Sequence, residues 1–374
     1  ALMGKASVDP AAALDLAGSV PSGGRHAYFA STTGARVLME AAKADFDSTV
    51  AWLAAHPGRF GHEDMLGIAE AVTTRLNADV AGFLQSRVED GSLATLTPAI
   101  GSALLNSAGD QRAAVWEWLK TQPENEATKS LKSDVLSSAA YQDPELALRL
   151  VADLPQTPGG DKQVSELAEC LFNGGNALHR FEGLLSRSPE RLRQPLIEAA
   201  FGFLGGGNLD NPQDWISRLS WLPEASRARG AESIAKAWSE QSPEEAIGWV
   251  SSLAAGEART SAVAGIAFAW SATDAHGTAE WINRMTPGTE RDRGAESLVM
   301  RIAERSPQEA WDWALSIADP DGRTRAATQA AKMMAARDPA TARQWIENGP
   351  FPAEVKAQLQ TSLTRGKSAL PLKP

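Results

Sequence analysis

Residues 237–249, AWSEQSPEEAIGW, decide how this chain is read. The Trp249 that ends the stretch recurs as Trp281, Trp313 and Trp345 with a constant period of 32, and Trp215 stands one slightly longer period ahead of it. Eleven positions before each of these sits another large apolar side chain: Leu204, Trp238, Trp270, Ile302 and Met334. Six positions before three of them sits a proline, Pro243, Pro307 or Pro339, preceded by Ser242, Ser306 or Asp338. Proline suits the first turn of a helix, and a preceding Ser or Asp can cap the free amides, so S-P or D-P marks a helix start. The tryptophan then falls on the second turn, where a large ring can fill the gap between two helices. A period this short is the mark of a stacked-repeat protein, and each period predicts two short helices, A and B, joined by a tight turn.

Helix A is read from AESIAKAWSE (231–240), SAVAGIAFAWS (261–271) and AESLVMRIAE (295–304). Apolar residues three and four apart, such as Ile234, Ala237 and Trp238, give one buried stripe. The many alanines favour helix and let neighbouring helices approach closely. No run of alternating β-branched and polar residues supports a strand. Extended backward, nearly the same period passes through Trp52, Leu84, Trp118, Leu150 and Leu184 and rejoins the regular series at Trp215. Asp143-Pro144 repeats the start seen at Asp338-Pro339. The expected fold is all-α: a right-handed α-solenoid of about ten antiparallel helix pairs running from about Asp45 to Asn348. The expected organisation is a degenerate helical-repeat region over 1–204, regular 32-residue repeats over 205–350 and a C-terminal extension over 351–374. A separate helical subdomain at the N-terminal end is the alternative. The tail TSLTRGKSALPLKP lacks the period and reads as a strap or loose end.

Composition agrees with a folded repeat protein. The chain has 374 residues, 43% hydrophobic and 22% charged, which suits a soluble fold rather than disorder. Twelve tryptophans against two tyrosines is an unusual ratio, and the period accounts for most of that excess. A formal charge of -10 argues against neutralising a nucleic-acid backbone or adhering to an anionic membrane. No run of 18 apolar residues suggests membrane insertion. The opening ALMGKASVDPAAALDLAG lacks the charged and apolar regions of a signal peptide. Location therefore stays open between cytosol and periplasm.

A second ladder is cationic. Arg227, Arg259, Arg291 and Arg323 follow the same period of 32, each at one fixed offset before its tryptophan. Arg229, Arg293 and Arg325 follow two positions later, with Ser261 in the gap. One reading gives each guanidinium to acidic residues or helix-terminal carbonyls of the neighbouring repeat. The other makes the column a stripe that collects carboxylates, phosphates or sulfates from a partner. Glu224, Glu257, Glu290 and Asp321, within three positions upstream, would neutralise such a stripe.

Catalytic constellations are thin. His26, His56, His62, His179 and His276 form no close metal-ligand pair. The densest local group, His62-Glu63-Asp64 with His56, follows a Pro57-Gly58 turn and reads as a solvated loop. Cys170 in ELAECLF is the sole cysteine and reads as a small buried hydrophobe; a pairing with His179 across a loop is a weaker reading. Gly174-Gly175 and Gly205 to Gly207 read as helix ends, since neither lies between a strand and a G-K-[ST]. Paired acids such as Glu244-Glu245, Glu63-Asp64 and Glu89-Asp90 suit helix first turns. No cofactor site is expected.

The near-34-residue helix pairs resemble those of the tetratricopeptide-like α-solenoid superfamily over about 300 residues. The tetratricopeptide Trp-Leu-Gly and Tyr positions are absent, and the spacing of Ala237, Trp238, Pro243, Ala246 and Trp249 is the chain's own. The segments also look like repeats of poorly characterised Verrucomicrobia-like bacterial proteins, many of them exported, which slightly favours a periplasmic or exported location. The resemblance implies a non-catalytic scaffold that holds a protein or peptide against a groove lined by helix A. Two alternatives stay open: a structural self-assembling module, hence a homo-oligomer, and a helical-repeat enzyme such as a carbohydrate-active hydrolase.

Overall fold

The computed structural model describes residues 5, 6, 8–18, 33–172, 181–204 and 211–365. Every regular element among them is helical, and there is no β-sheet. All ten period-marking residues, from Trp52 to Trp345, lie in helices. The glycine pairs and triplets at 174–175 and 205–207, with His26 and His179, fall outside the described residues.

The chain divides into two compact units, Ala1–Pro195 and Leu196–Pro374. The division falls inside the Glu190–Gly202 helix, beside its internal Pro195. In the first unit the helices Thr33–Ala44, Ala69–Ala78, Leu93–Leu105, Glu126–Gln142 and Pro158–Phe172 pack each on the next. Between them come Phe46–Ala55, Val80–Glu89, Gly109–Lys120 and Pro144–Leu150, each carrying one of the period-marking residues. Pro10–Gly18 packs on the first pair, and Trp52 Nε1 donates to Asp15 Oδ1 at 3.1 Å.

The second unit repeats the arrangement more regularly. The A helices Glu224–Ser239, Glu257–Trp270, Thr289–Ile302 and Pro320–Arg337 pack side by side in that order. The B helices Pro243–Ser252, Ala275–Asn283 and Pro307–Leu315 each contact their own A helix and the next one. Pro339–Asn348 closes the series, and Ala353–Arg365 packs on the last A and B helices. That final helix corrects the reading of the tail, because Thr361 to Arg365 complete it rather than forming a loose strap. Its Leu359, together with Phe351, enters the core that runs from Ala267 through Leu298, Ile302 and Ala327 to Ile346.

Helix starts follow the sequence logic with one correction. Asp338 accepts from the amides of Ala340 and Thr341, and Asp143 from that of Leu146. Ser242 and Ser306 stand at the same place but make no side-chain cap. With ψ near 75° at Asp143 and 79° and 70° at the serines, only the longer carboxylate reaches the free amides. Where A helices follow Gly256 and Gly288, φ is +151° and +156°, a region open essentially to glycine alone. Close approach of the A helices needs glycine too, since a Cβ on Gly265 would lie 2.5 Å from the Glu232 carbonyl oxygen.

The tryptophans share the filling of the gap. Trp215 is buried, whereas Trp249, Trp281, Trp313 and Trp345 are half-buried. Within a repeat, the ring of B meets the ring that ends A: Trp238 with Trp249 at 6.1 Å and Trp270 with Trp281 at 6.3 Å between centroids. Ile302 ends the next A helix, so no such pair exists there. Instead the buried Trp311 stacks on Trp345 of the following repeat at 5.3 Å and meets Phe351 in a tilted contact at 5.9 Å.

Candidate interaction surface

The two arginine columns separate in space. Arg227 Nε donates to the Leu222 carbonyl at 3.1 Å, Arg259 Nη1 to Leu253 at 3.4 Å, and Arg323 Nε to Ile317 at 2.7 Å. Each acceptor lies in the turn before the arginine's own A helix, so these side chains tie turn to helix. Arg291 reaches the other way, to the Ser316 carbonyl at 3.0 Å, and its guanidinium lies 5.9 Å from the Trp313 ring. The upstream acids do not neutralise their own arginines. Glu290 instead pairs with Arg259 of the preceding repeat at 3.1 Å, off the Nε–H direction, and so makes an ionic contact rather than a directed hydrogen bond. Asp292, buried, accepts from the amides of Ala318 and Asp319 at 3.0 and 2.9 Å.

The second column lies on the A helices and faces water. Arg229 is exposed, and the side chains of Arg293 and Arg325 are 46% and 60% exposed. Arg293 and Arg325 both grip Glu296, each at 2.7 Å, from helices in successive repeats. Glu296 is thereby buried with its charge matched by two guanidinium groups.

Two helical turns on from that column, and therefore on the same face, runs a row that sequence reading missed. Lys236, Phe268, Met300 and Lys332 occupy one register, each standing two positions before the helix-A landmark of its repeat, which is Trp238, Trp270, Ile302 or Met334. Phe268 is 36% exposed and Met300 52%, although Ala262 to Ala267 and Ala269 beside Phe268 are all buried. Lys236 Nζ lies 5.4 Å from the Phe268 ring centroid and the guanidinium of Arg301, the residue after Met300, 5.3 Å from it, so cations from the A helices on either side bracket Phe268. In the first unit the same register, counted back from Trp118 as Phe268 is from Trp281, holds Leu105, also exposed at 46%. The signal was present in the 32-residue phase, but which side of helix A its neighbours leave open could be seen only in the packing.

Elsewhere the candidates are structural. His56 Nδ1 sits 2.8 Å from the Trp52 carbonyl and its ring stacks on Trp52 at 4.2 Å, away from any metal-binding arrangement with His62. Asp64 is buried and accepts from the Gly61 amide at 3.0 Å, capping its own short helix. Cys170 Sγ lies 3.7 Å from Ser137 Oγ. Among the described residues no group of three or more His, Cys, Asp or Glu is placed to hold a metal, and no helix is long and apolar enough to cross a membrane. Burial raises the Asp134 carboxyl above the usual aspartate range, partly offset by the charge of His62. An open cleft of about 590 Å³ lies between Gly256, Glu257 and Thr260 on one side and Thr286 to Glu290 on the other. Its Glu290 is already committed to Arg259. Comparison with known proteins gives no match among family models, curated proteins or solved structures.

Proposed function

We infer that the chain is a binding scaffold: a TPR-like, right-handed α-solenoid that holds a protein segment across the water-facing side of its A helices. The observation that carries this reading is the recurrence of exposed large apolar side chains at one register. Within the second unit Phe268 and Met300 stand at the same offset before their landmarks Trp281 and Trp313 on neighbouring A helices. Single exposed hydrophobes are ordinary on any surface, but repetition at a fixed phase on one face has the character of a contact surface. Arg229, Arg293 and Arg325 flank this row with charged donors, whereas Arg227, Arg259, Arg291 and Arg323 serve the turns. The stacked-helix architecture favours the reading as well, since helix pairs that contact only their neighbours leave an extended face for a linear partner.

The test is selection of a displayed random peptide library on the full chain, followed by affinity measurement. A consensus should emerge that binds the native chain and loses at least about tenfold in affinity, about 1.4 kcal/mol, when Phe268→Asp and Met300→Asp are combined. Failure to enrich any consensus, or a consensus indifferent to both changes, contradicts the scaffold reading.

A further inference from the structure

We propose that the segment recognised by this face is extended and acidic, with two apolar side chains three residues apart and an acid three residues outside each. This rests on the scaffold reading and names its partner. The row crosses four neighbouring A helices in the order Lys236, Phe268, Met300, Lys332. Packed helices lie roughly 8–10 Å apart, and a chain extended in the polyproline II conformation advances about 3.1 Å per residue with three residues per turn, so that every third side chain falls on one face. Three residues of an extended peptide therefore span one helix, whereas a helical ligand would need about seven at 1.5 Å each. The matching pattern is acid-x-x-apolar-x-x-apolar-x-x-acid, the same in either chain direction because the row itself is symmetric.

Charge fixes the sign of the flanks. Lys236 and Lys332 end the row, and Arg301 sits beside Met300 against the Phe268 ring. Of the two carboxylates one turn before the row, Glu296 is already held by Arg293 and Arg325, and the exposed Glu232 lies between Arg229 and Lys236 on the same helix face, where both cations offset it. Along the helices the face is graded: Arg229, Arg293 and Arg325 lie two turns towards the N-terminal ends, and the exposed Glu240 and Glu304 lie one turn towards the C-terminal ends. An acidic segment is held between these levels, with its carboxylates drawn to the arginine side and repelled by the glutamates. A basic segment would meet Lys236, Arg301 and Lys332 at like charge. A chain with formal charge -10 that concentrates cations around its exposed apolar pair is complementary here to an acidic ligand, not to a basic one.

The probe is a fluorescein-labelled synthetic peptide of the form Asp-x-x-Phe-x-x-Leu-x-x-Glu, with serine and glycine at x, titrated with the full chain at low salt. Two comparators accompany it, one with lysine in place of both acids and one with the same composition but the apolar residues adjacent. The acid-flanked, three-spaced peptide should bind at least about tenfold tighter than either comparator. The double variant Lys236→Glu/Lys332→Glu, checked by circular dichroism for unchanged helix content, should reverse the preference towards the lysine-flanked peptide. Equal binding of the comparators, no binding of any of the three, or an unchanged preference in the double variant overturns the proposal. A library consensus that needs Phe268 and Met300 but lacks acids or the three-residue spacing removes this inference and leaves the scaffold standing; no consensus at all removes both.

Discussion

Trp311 and Trp313 sit two positions apart on one B helix and do different jobs, which single substitutions can separate. Trp311 is 4% exposed and packs against two rings of the following segment, so Trp311→Ala should cost about 4 kcal/mol, as for a large core deletion. Trp313, the residue in the 32-residue phase, is half-buried, and with roughly half the burial at stake Trp313→Ala should cost about 2 kcal/mol. Urea midpoints measured on both variants would contradict this packing if Trp313→Ala were the more damaging. The phase alone points to Trp313; that Trp311 carries more of the core was not legible, because its partners Trp345 and Phe351 come from further along the chain. Asp134 offers a pH-dependent check. Its carboxyl is raised by burial, so folding opposes its ionisation and native stability falls as pH rises from the ordinary aspartate value of 3.8 through the raised one. Asp134→Asn should therefore stabilise the protein at neutral pH and make little difference below pH 3.8. A loss of stability at neutral pH would show that the charge is needed where it stands.

At the scale of the helix, the starts were the most readable feature, and their energetics follow from the caps. Asp338 accepts from two amides and from the Thr341 hydroxyl, and these bonds hold its carboxyl below the usual aspartate range. A lowered native value stabilises the fold at pH above 3.8, and that contribution is lost as pH falls below 3.8 through the native value. Asp338→Asn keeps a capping oxygen without the charge, so its melting temperature should sit below that of the native chain at neutral pH and converge with it in acid. A gap that persists below the native value would point to geometry rather than charge. Helix B was legible because Pro243, Pro307, Pro339 and the tryptophans share one phase, and a proline in the first turn has one physical meaning. Helix A was legible in its buried stripe through Ile234 and Trp238 but not in its open face. Phe268 lies in the nearly continuous apolar run SAVAGIAFAW, which gives no amphipathic contrast from which to read its exposure. The serine caps failed for a reason of reach that no residue pattern carries.

For the molecule as a whole, stacking makes each helix pair depend on its neighbours, and the face left over is the one we propose as a binding surface. In the second unit Phe268 and Met300 stay open to water at one register while the rest of their A helices is largely covered. Repeat architecture was legible over most of the chain because Trp and Pro punctuate it. The candidate surface was only partly so, because arginine columns two positions apart look alike in sequence yet serve turns in one case and the surface in the other. The most direct test of the central claim is amide hydrogen exchange on the full chain with and without the library-selected peptide. Binding should slow exchange in the A helices Glu224–Ser239, Glu257–Trp270, Thr289–Ile302 and Pro320–Arg337 and leave the B helices Pro243–Ser252, Ala275–Asn283 and Pro307–Leu315 unchanged. Protection confined to the B helices, or to neither set, would contradict it.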